Sequence, residues 1–355
     1  MRIGIITQPL TSNYGGILQN YALQTILKRM GHQVFTMDIG KYSLGVWLDL
    51  FFRALIHKCL GHKVGFPDKP NYKKRIENPL RLFVKKNISL TEPRTRWLQK
   101  RIVEKYEFEA IIVGSDQVWR PNYNPRIADC FLKFIDNKNI KRIAYSASFG
   151  TDVWEFTEKQ TRICAMLAKK FEAISVREFS GIELCEKHLG VNAVSLIDPT
   201  LLLSSDDYNK LTLNIKKHTP CIFAYLLDVS ESKVNQIKLF AEQKKLNLYI
   251  KSAGTDITEN DSIELWLSYF RDAEYVITDS FHGAVFSIIY QKEFYLYLNK
   301  ERGNARFDSI LRMFNLNSRI IVDGIIDLPK IDYLFIKSII DKEVIKSLIW
   351  LQNLI

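Results

Sequence analysis

Short apolar runs alternate along the chain with stretches in which apolar residues recur at helical spacing. Near the N-terminus, the run at 2–7 (RIGIIT) predicts a strand, and apolar residues three and four apart predict a helix from about Ile17 to Met30. The next run, Gln33 to Asp38, predicts a second strand. A strand, loop, helix and strand in this order indicate a parallel sheet, with ligand contacts at the carboxyl end of the first strand.

The same alternation continues to about residue 198 and restarts near residue 221, which indicates two units of one kind. We therefore predict an α/β fold of two Rossmann-like, doubly wound domains that face a cleft. The predicted strands are 2–7, 33–38, 109–113, 142–146, 173–176, 194–197, 221–227, 246–250, 275–278 and 294–298. The predicted divisions are an N-terminal domain at 1–198 with an insertion at 44–105, a C-terminal domain at 199–335, and a packing helix at 336–355.

The stretch Glu274 to Gln291 contains a buried strand that leads directly into a helix, in which apolar residues recur at helical spacing from Ala284. Ser280 supplies N-cap chemistry, and His282 and Gly283 lie at the junction. The first turn of a helix offers unpaired N–H groups and the positive end of the helix dipole, so it favours anions. A histidine there can move a proton beside a bound phosphate, and a glycine lets a ligand approach the backbone. A histidine that only caps a core helix is the alternative.

Polar residues also follow two strands of the N-terminal half. The loop after the first strand is not a GxGxxG loop, so it does not favour a dinucleotide, and Asn13 and Tyr14 are predicted to face a substrate. Asp116 and Gln117 follow the strand at 109–113, where α/β proteins place ligand contacts, and they suit hydrogen bonding to hydroxyl groups. A simple turn capped by Asp116 is the alternative.

Two arginines are placed to bind an anion. Arg177 directly follows the strand at 173–176, where its planar fork could hold a carboxylate or a phosphate. A salt bridge with Glu178 or another nearby acid would explain the same residue structurally. Arg306 precedes a helix predicted at 307–314 and so lies near another helix start.

Composition indicates an ordinary globular chain. Its 355 residues are 47% hydrophobic and 25% charged, which is enough for two domains with cores. The sequence has no uncharged apolar segment of 18 residues, and MRIGIITQ is expected to be a strand and not a signal peptide. Five scattered cysteines suggest reduced thiols, so we expect a cytoplasmic protein. The histidines form no HxxxH or HxH pair, so we expect no metal site.

The net charge of +11 is concentrated in one segment. Residues 57–101 hold 13 Lys and Arg against 3 Asp and Glu, which is +10. Just before it, 44–60 (LGVWLDLFFRALIHKCL) predicts a helix with only a narrow polar stripe. Residues 44–105 could dock peripherally on an anionic membrane, or the helix could pack on the N-terminal domain beneath a solvated basic face. The basic run has no nucleic-acid-binding motif, so no nucleic acid is expected.

Six segments, spread in order over about residues 1 to 320, carry a family resemblance. They are NYGGILQNYALQ at 13–24, IVGSDQVW at 112–119, AYSASFG at 144–150, SVRE at 175–178, LIDPTLLL at 196–203 and VITDSFHGAVFSII at 276–289. With these segments, and with Arg306 beyond them, the chain resembles the polysaccharide pyruvyl transferase family. The insertion at 44–105 carries no motif of the family.

The resemblance implies a fold like that of B-type glycosyltransferases, with the acceptor on the N-terminal side and the donor on the C-terminal side. It implies transfer of a pyruvyl group from phosphoenolpyruvate, a co-substrate and not a cofactor, to a glycan that is lipid-linked or free. His282 would be the catalytic acid/base. Some members have an arginine two residues before that histidine, where this chain has Ser280. Arg177 and Arg306, with Ser280 and Gly283 at the helix start, would then bind the donor.

The residues fit this chemistry independently of the resemblance. An enol phosphate becomes electrophilic when its methylene carbon is protonated, and a sugar hydroxyl that attacks must lose a proton. One histidine with a pKa near neutrality can serve both steps. Two other classes stay open: a nucleotide-sugar-dependent glycosyltransferase with the same fold, and a non-catalytic glycan-binding protein.

Overall fold

A computed structural model describes residues 1–39, 51, 52, 54–56, 58, 78–92, 98–252, 261–298 and 305–355. Within these residues the strands are β1 (Arg2–Ile6), β2 (Gln33–Thr36), β3 (Ala110–Val113), β4 (Lys141–Ala147), β5 (Ala173–Val176), β6 (Val194–Ser195), β7 (Cys221–Leu226), β8 (Asn247–Ser252), β9 (Ala273–Thr278) and β10 (Glu293–Leu296). The helices are α1 (Tyr14–Arg29), α2 (Asn78–Asn87), α3 (Lys100–Lys105), α4 (Glu158–Ala168), α5 (Phe179–Leu184), α6 (Ser205–Asn209), α7 (Glu231–Lys244), α8 (Ile263–Asp272), α9 (Phe281–Ile289), α10 (Ala305–Phe314) and α11 (Tyr333–Gln352).

The strands of the described chain form two parallel sheets. The first has the order β2-β1-β3-β4-β5-β6, and the second has the order β10-β9-β7-β8. Counted from β8, the second sheet repeats the order of the first four strands of the first sheet. In each sheet the order reverses beside the first strand, between β1 and β3 and between β7 and β9, and ligands of such sheets bind outside the carboxyl ends at this point. The predicted α/β class with doubly wound sheets is confirmed.

The central strands are apolar without alternation because helices cover both faces of each sheet. All four residues of β3 and all six of β7 are buried. Such strands position the polar residues at their ends rigidly, since β3 pairs with β1 and β4, and β7 pairs with β8 and β9.

One apolar core joins the two sheets. Tyr14 of α1 stacks on Trp266 of α8 at 5.3 Å between ring centroids and meets Tyr225 of β7 edge-on at 6.1 Å. The C-terminal helix α11 also contacts both halves: the Tyr333 hydroxyl donates to the Lys292 carbonyl, and Lys141 Nζ donates to the Leu354 carbonyl at 2.7 Å. The division into domains at residues 198 and 335 stays a prediction.

Three helices at the site begin before their apolar periodicity does. α1 begins at Tyr14 and not at Ile17, because the side chain of Asn13 accepts the Gly16 N–H at 3.0 Å. α9 begins at Phe281, and its cap is Ser280 as the sequence predicts, although its apolar periodicity starts only at Ala284. α10 begins at Ala305 and not at 307. The apolar periodicity starts only after the first turn, so caps locate these helix starts better than periodicity does.

Most of the helix predicted at 44–60 lies outside the described residues. Of the part that is described, Ala54 is buried, whereas Phe52, Leu55 and Ile56 are 55%, 41% and 58% exposed. Among the helices that the structure describes, none combines the length and apolar character needed to cross a bilayer.

Candidate active site

The polar residues predicted from the sequence converge at the carboxyl ends of both sheets. The first sheet contributes the residues after β1, β3, β5 and β6, and the second sheet contributes those after β9. The closest approach joins α1 to α9: a Cβ atom built on Gly15 would overlap the His282 ring at Nδ1. Only glycine at residue 15 lets the imidazole lie against the first turn of α1.

His282 lies in the first turn of α9 with 5% of its surface exposed. Its Nε2 atom lies 3.6 Å from Oδ2 of Asp198, and within the described chain this nitrogen has no hydrogen-bond partner. The ring is therefore held between Gly15 on its Nδ1 side and Asp198 on its Nε2 side. A residue that caps a core helix would not need this arrangement, because Ser280 already caps α9.

Asp198 is a buried carboxylate on the segment that follows β6. Its Oδ1 accepts hydrogen bonds from the Thr200 N–H at 3.0 Å and hydroxyl at 2.7 Å, and its Oδ2 accepts from Ser115 Oγ at 2.9 Å and Arg177 Nη1 at 2.8 Å. Burial alone would raise the pKa of this carboxyl, but His282, Arg177 and Thr200 hold the pKa well below its ordinary value. Asp198 is therefore a fixed negative charge beside the imidazole.

Arg177 is buried among acids without being saturated by them. Its Nη1 donates to Asp198, while Glu178 and Asp116 lie farther away, at 3.8 Å from Nε and 3.9 Å from Nη2. Within the described residues, Nε and Nη2 have no hydrogen-bond partner. Burial would lower the pKa of Arg177, but Asp198, Glu178 and Asp116 raise it above the ordinary value. The salt bridge considered as the structural alternative is therefore present, and Asp198 is its closest acid. Two nitrogens of the guanidinium group, Nε and Nη2, are not used by this salt bridge.

Arg306 lies in the first turn of α10 and is buried with Arg177 around one ring. The guanidinium carbon of Arg177 lies 4.3 Å from the centroid of Phe281, and that of Arg306 lies 5.9 Å from it. Burial, followed by repulsion from Arg177, lowers the pKa of Arg306 to about 10. A bound anion would relieve both effects, since it compensates two desolvated positive charges at once.

The N-terminal ends of α1 and α9 also point into this region. They meet through the contact of Gly15 with His282. The positive ends of two helix dipoles, with their unpaired N–H groups, therefore add to the field of the two arginines. The described part of the site thus favours a dianion more strongly than its formal charges suggest.

Asn13, Asp116 and Gln117 form a connected rim on the first sheet. Asp116 has a left-handed backbone (φ 72°), accepts the Gln117 N–H at 2.9 Å, and accepts Nδ2 of Asn13 at 3.0 Å. The side-chain oxygen of Gln117 accepts Nη1 of Arg120 at 3.1 Å. The simple turn capped by Asp116, which is the structural alternative for this residue, is therefore present. The same turn aligns the side chains of Asn13, Asp116 and Gln117.

Two predicted site residues are placed differently from the sequence expectation. Tyr14 is buried against Trp266 and Tyr225 instead of facing the cleft, because it belongs to the first turn of α1 and not to the loop. Gly283 is required by packing on its own strand, since a Cβ atom there would overlap the Thr278 hydroxyl. Ser280 accepts the Gly283 N–H at 3.3 Å and so acts as the cap.

Sequence reasoning missed Asp198 and Gly15. From the sequence, Asp198 was assigned only to the end of the N-terminal domain, although it lies three residues beyond β6, and Arg177 follows the neighbouring strand β5. Gly15 was interpreted as part of the loop after the first strand. The signal was Asn13, a residue type that caps helices, because with Asn13 as the cap Gly15 falls in the first turn of α1, where glycine lets another group approach the backbone closely.

The residues that the structure describes include no cluster of three His, Cys, Asp or Glu side chains suited to hold a metal ion. The ionisable groups that the described residues bring to the site are the imidazole of His282, the carboxylates of Asp198, Asp116 and Glu178, and the guanidinium groups of Arg177 and Arg306.

Solved structures with similar folds span nearly the whole chain. MnaA from S. aureus, solved with UDP, is 9% identical, covers 98% of this chain and 90% of its own, and has a TM-score of 0.50. A UDP-GlcNAc 2-epimerase from Neisseria meningitidis bound to UDP-GlcNAc is 8% identical over 99% and 92% of the two chains, with a TM-score of 0.48. At such identities the likeness shows the fold alone, a glycosyltransferase-B-like pair of Rossmann-like sheets. A search of curated proteins found no match.

A match to a family model identifies the class of reaction. The model described as polysaccharide pyruvyl transferase matches residues 13–301, which include every segment that carries the resemblance and all the site residues except Arg306. The match makes the chain a transferase whose family is defined by pyruvyl transfer to polysaccharide. The chain belongs to the polysaccharide pyruvyl transferase family.

Proposed function

We propose that the chain transfers the pyruvyl group of phosphoenolpyruvate to a sugar of a cell-surface polysaccharide or of its lipid-linked precursor, forming a pyruvate ketal and releasing phosphate. The observation that supports this donor is the pair of buried arginines around Phe281, next to His282. Phosphoenolpyruvate carries a phosphate and a carboxylate, so it presents the two anionic groups that two guanidinium groups can hold.

In the proposed donor site, Arg177 uses Nε and Nη2, the two nitrogens that Asp198 does not engage. Arg306 binds the second anionic group of the donor. The Ser280 hydroxyl stands where some family members have an arginine; it accepts the Gly283 N–H and retains its own proton for a phosphate oxygen. The N-terminal ends of α1 and α9 complete the positive field, which compensates for the missing arginine.

His282 moves the protons of the reaction. As an imidazolium it protonates the methylene carbon of the donor, and C2 becomes an oxocarbenium-like centre that a first sugar hydroxyl attacks, giving its proton to the neutral imidazole. The C2–O bond to phosphate then breaks, and a second hydroxyl closes the ketal as its proton leaves with phosphate. One phosphoenolpyruvate and one diol thus give one ketal and one phosphate. The fixed cations stabilise the departing phosphate.

The acceptor sugar is proposed to bind at the rim formed by Asn13, Asp116 and Gln117. The side chains of all three follow strand ends of the first sheet, and they offer both donors and acceptors to hydroxyl groups. Tyr14 contributes indirectly, because its packing on Trp266 holds the start of α1 against the second sheet.

Thermal shift tests the donor assignment against the two other classes. Stabilisation by phosphoenolpyruvate, weaker in Arg306→Lys, is the expected result, since a ligand that binds only the folded state raises its stability by mass action. Stabilisation by UDP-sugars without an effect of phosphoenolpyruvate would instead support a glycosyltransferase. Stabilisation by glycan alone would support a binding protein.

We also propose that residues 44–105 hold the enzyme at the inner face of the cytoplasmic membrane, where lipid-linked glycans are made. The exposed side chains of Phe52, Leu55 and Ile56 and the +10 charge of residues 57–101 support this docking. Vesicles with and without anionic lipid test it by flotation. Binding that needs anionic lipid, weakens with salt and is lost in Phe52→Glu/Ile56→Glu, but not in the control Ile349→Glu on exposed α11, is expected. Wild type that stays unbound at low salt would show that the segment is only part of the fold.

A further inference from the structure

We propose that Asp198 is the positioning residue of His282: its carboxylate accepts a hydrogen bond from the Nε2–H group, which leaves Nδ1 as the nitrogen that exchanges protons with the substrate. This inference rests on the proposed function of His282 and assigns the role of each ring nitrogen. It also gives the LIDPT segment, which carries Asp198, a function in catalysis.

The first support is that Asp198 cannot turn away. Donors fix both carboxylate oxygens: Thr200 binds Oδ1, and Ser115 and Arg177 bind Oδ2. The residue is 1% exposed, so water does not compete for it. A carboxylate held in this way presents one fixed lone-pair direction to the imidazole.

The second support is the environment of Nε2. This nitrogen is buried, Asp198 Oδ2 lies 3.6 Å from it, and within the described chain it makes no hydrogen bond. A buried ring nitrogen without a partner is costly, and closure by a few tenths of an ångström would satisfy it. Catalytic hydrogen bonds are often long without substrate and shorten when the substrate binds. The tautomer with the proton on Nε2 is therefore favoured.

The third support is that Asp198 connects both halves of the site. It binds Arg177, which comes from the first sheet, and faces His282, which comes from the second. One carboxylate thus aligns the cation that holds the donor with the imidazole that protonates it. A purely structural Asp198 would serve Arg177 alone, and this alternative predicts different results for the variants below.

The direct test is the NMR tautomer state of His282 in protein labelled with ¹⁵N-histidine, assigned with His282→Gln. The expected result is that the neutral ring carries its proton on Nε2. A neutral ring protonated on Nδ1 would overturn the proposal. Because this reading needs neither donor nor turnover, it is independent of the proposed reaction: an Nε2–H tautomer without any pyruvyl transfer would refute the function and leave the positioning role standing.

Asp198→Asn tests the effect on chemistry. The charged groups of this buried cluster are Asp198, Asp116, Glu178, Arg177 and Arg306. Loss of the carboxylate removes a negative charge from the site, so the pH–rate profile should move to lower pH by about one unit or more. kcat should fall, and the same substitution in a His282→Gln background should cost little further, because the residues act as a unit.

A matched control is Asp279→Asn in the segment that carries His282. Asp279 is also a buried acid, but it accepts the N–H groups of Leu227 and Asp228 and pairs with Lys233. The Asp279→Asn variant should change the stability of the protein without changing the tautomer of His282 or the pH–rate profile. The result that contradicts the proposal is that Asp198→Asn lowers activity by the same factor in the wild-type and the His282→Gln backgrounds and weakens donor binding. That result would show that Asp198 serves only Arg177. If the Asp198→Asn variant does not fold, the NMR measurement of the His282 tautomer in the wild-type protein still tests the proposal.

Discussion

His282 is the residue on which the proposed chemistry depends most. It is the imidazole of the described site, and it lies between a fixed carboxylate and a glycine that makes room for it. His282→Ala should lower kcat by about 10²–10⁴-fold, the usual contribution of a positioned acid or base, while phosphoenolpyruvate still binds. Steady-state kinetics with binding measured in parallel checks this. His188→Ala, which removes an imidazole stacked on Trp154, is the control and should keep full activity.

Arg177 and Arg306 bind the donor through fork-shaped groups, so lysine should not replace them. Each Arg→Lys variant should weaken phosphoenolpyruvate binding by about tenfold or more, because hydrogen bonds to charged groups contribute about 1.5–3 kcal/mol. Calorimetric titration measures the affinity. Arg142→Lys, at a buried arginine that donates to the Ile135 carbonyl, tests the general cost of such a change. Unchanged donor affinity in both site variants would contradict the assignment.

Among single residues, the sequence predicted those whose role follows from their position next to a strand or a helix in the chain. Arg177 directly follows β5, and His282 lies in the first turn of the helix that follows β9, so the pattern of strand, polar residue and helix was sufficient to find them. Asp198 and Gly15 were not predicted. Their importance depends on contacts across 84 and 267 positions of the chain, from Asp198 to His282 and from Gly15 to His282, and no local pattern encodes such pairs.

At the scale of elements, the contact between α1 and α9 is what aligns the two sheets at the site. Gly15→Ala should force the His282 ring away from its position, because the added methyl group would overlap Nδ1. We expect a large loss of kcat with a modest change in donor binding. The measurement is kinetics together with the His282 NMR signals.

Gly114→Ala is the matched control for that substitution. Its added Cβ would meet the Ile6 carbonyl at 3.4 Å, an ordinary contact, so activity should be kept. If Gly15→Ala were as active as Gly114→Ala, then the close packing of α1 on His282 would have no role in catalysis.

Strand bounds that depend on burial were predicted well from the sequence, whereas helix starts that depend on a capping residue were predicted less well. The strands at β5 and β7 match their apolar runs closely, because a strand covered on both faces is apolar throughout. The predicted start of α1 is about one turn late, because Gly15 and Gly16 form part of its first turn. Tyr14 was misplaced for this reason.

At the scale of the whole molecule, the buried charges make the fold sensitive to acid. The pKa of Asp198 is held below its ordinary value in the folded state, chiefly by His282 and Arg177 against the opposing effect of burial. Its contribution to stability is therefore complete above the unfolded-state pKa, about 3.9, and is lost as pH falls through the lower folded-state pKa. Asp198→Asn removes this dependence.

Denaturant unfolding from pH 7 down to about pH 3 measures that contribution. The difference in unfolding free energy between wild type and Asp198→Asn should shrink as the pH falls below about 4. A difference that stays constant to the lowest pH would mean that Asp198 is not the ionised partner of Arg177 and His282.

Transfer of the pyruvyl group itself tests the central claim most directly. ¹³C-labelled phosphoenolpyruvate is incubated with the enzyme and a panel of free and lipid-linked glycans, and label in the glycan is measured together with released phosphate. The predicted result is label in a ketal and phosphate in equal amounts with at least one acceptor, both lost in His282→Ala. Label transfer that persists in His282→Ala, or no transfer to any glycan although UDP-sugars are consumed, would contradict the account.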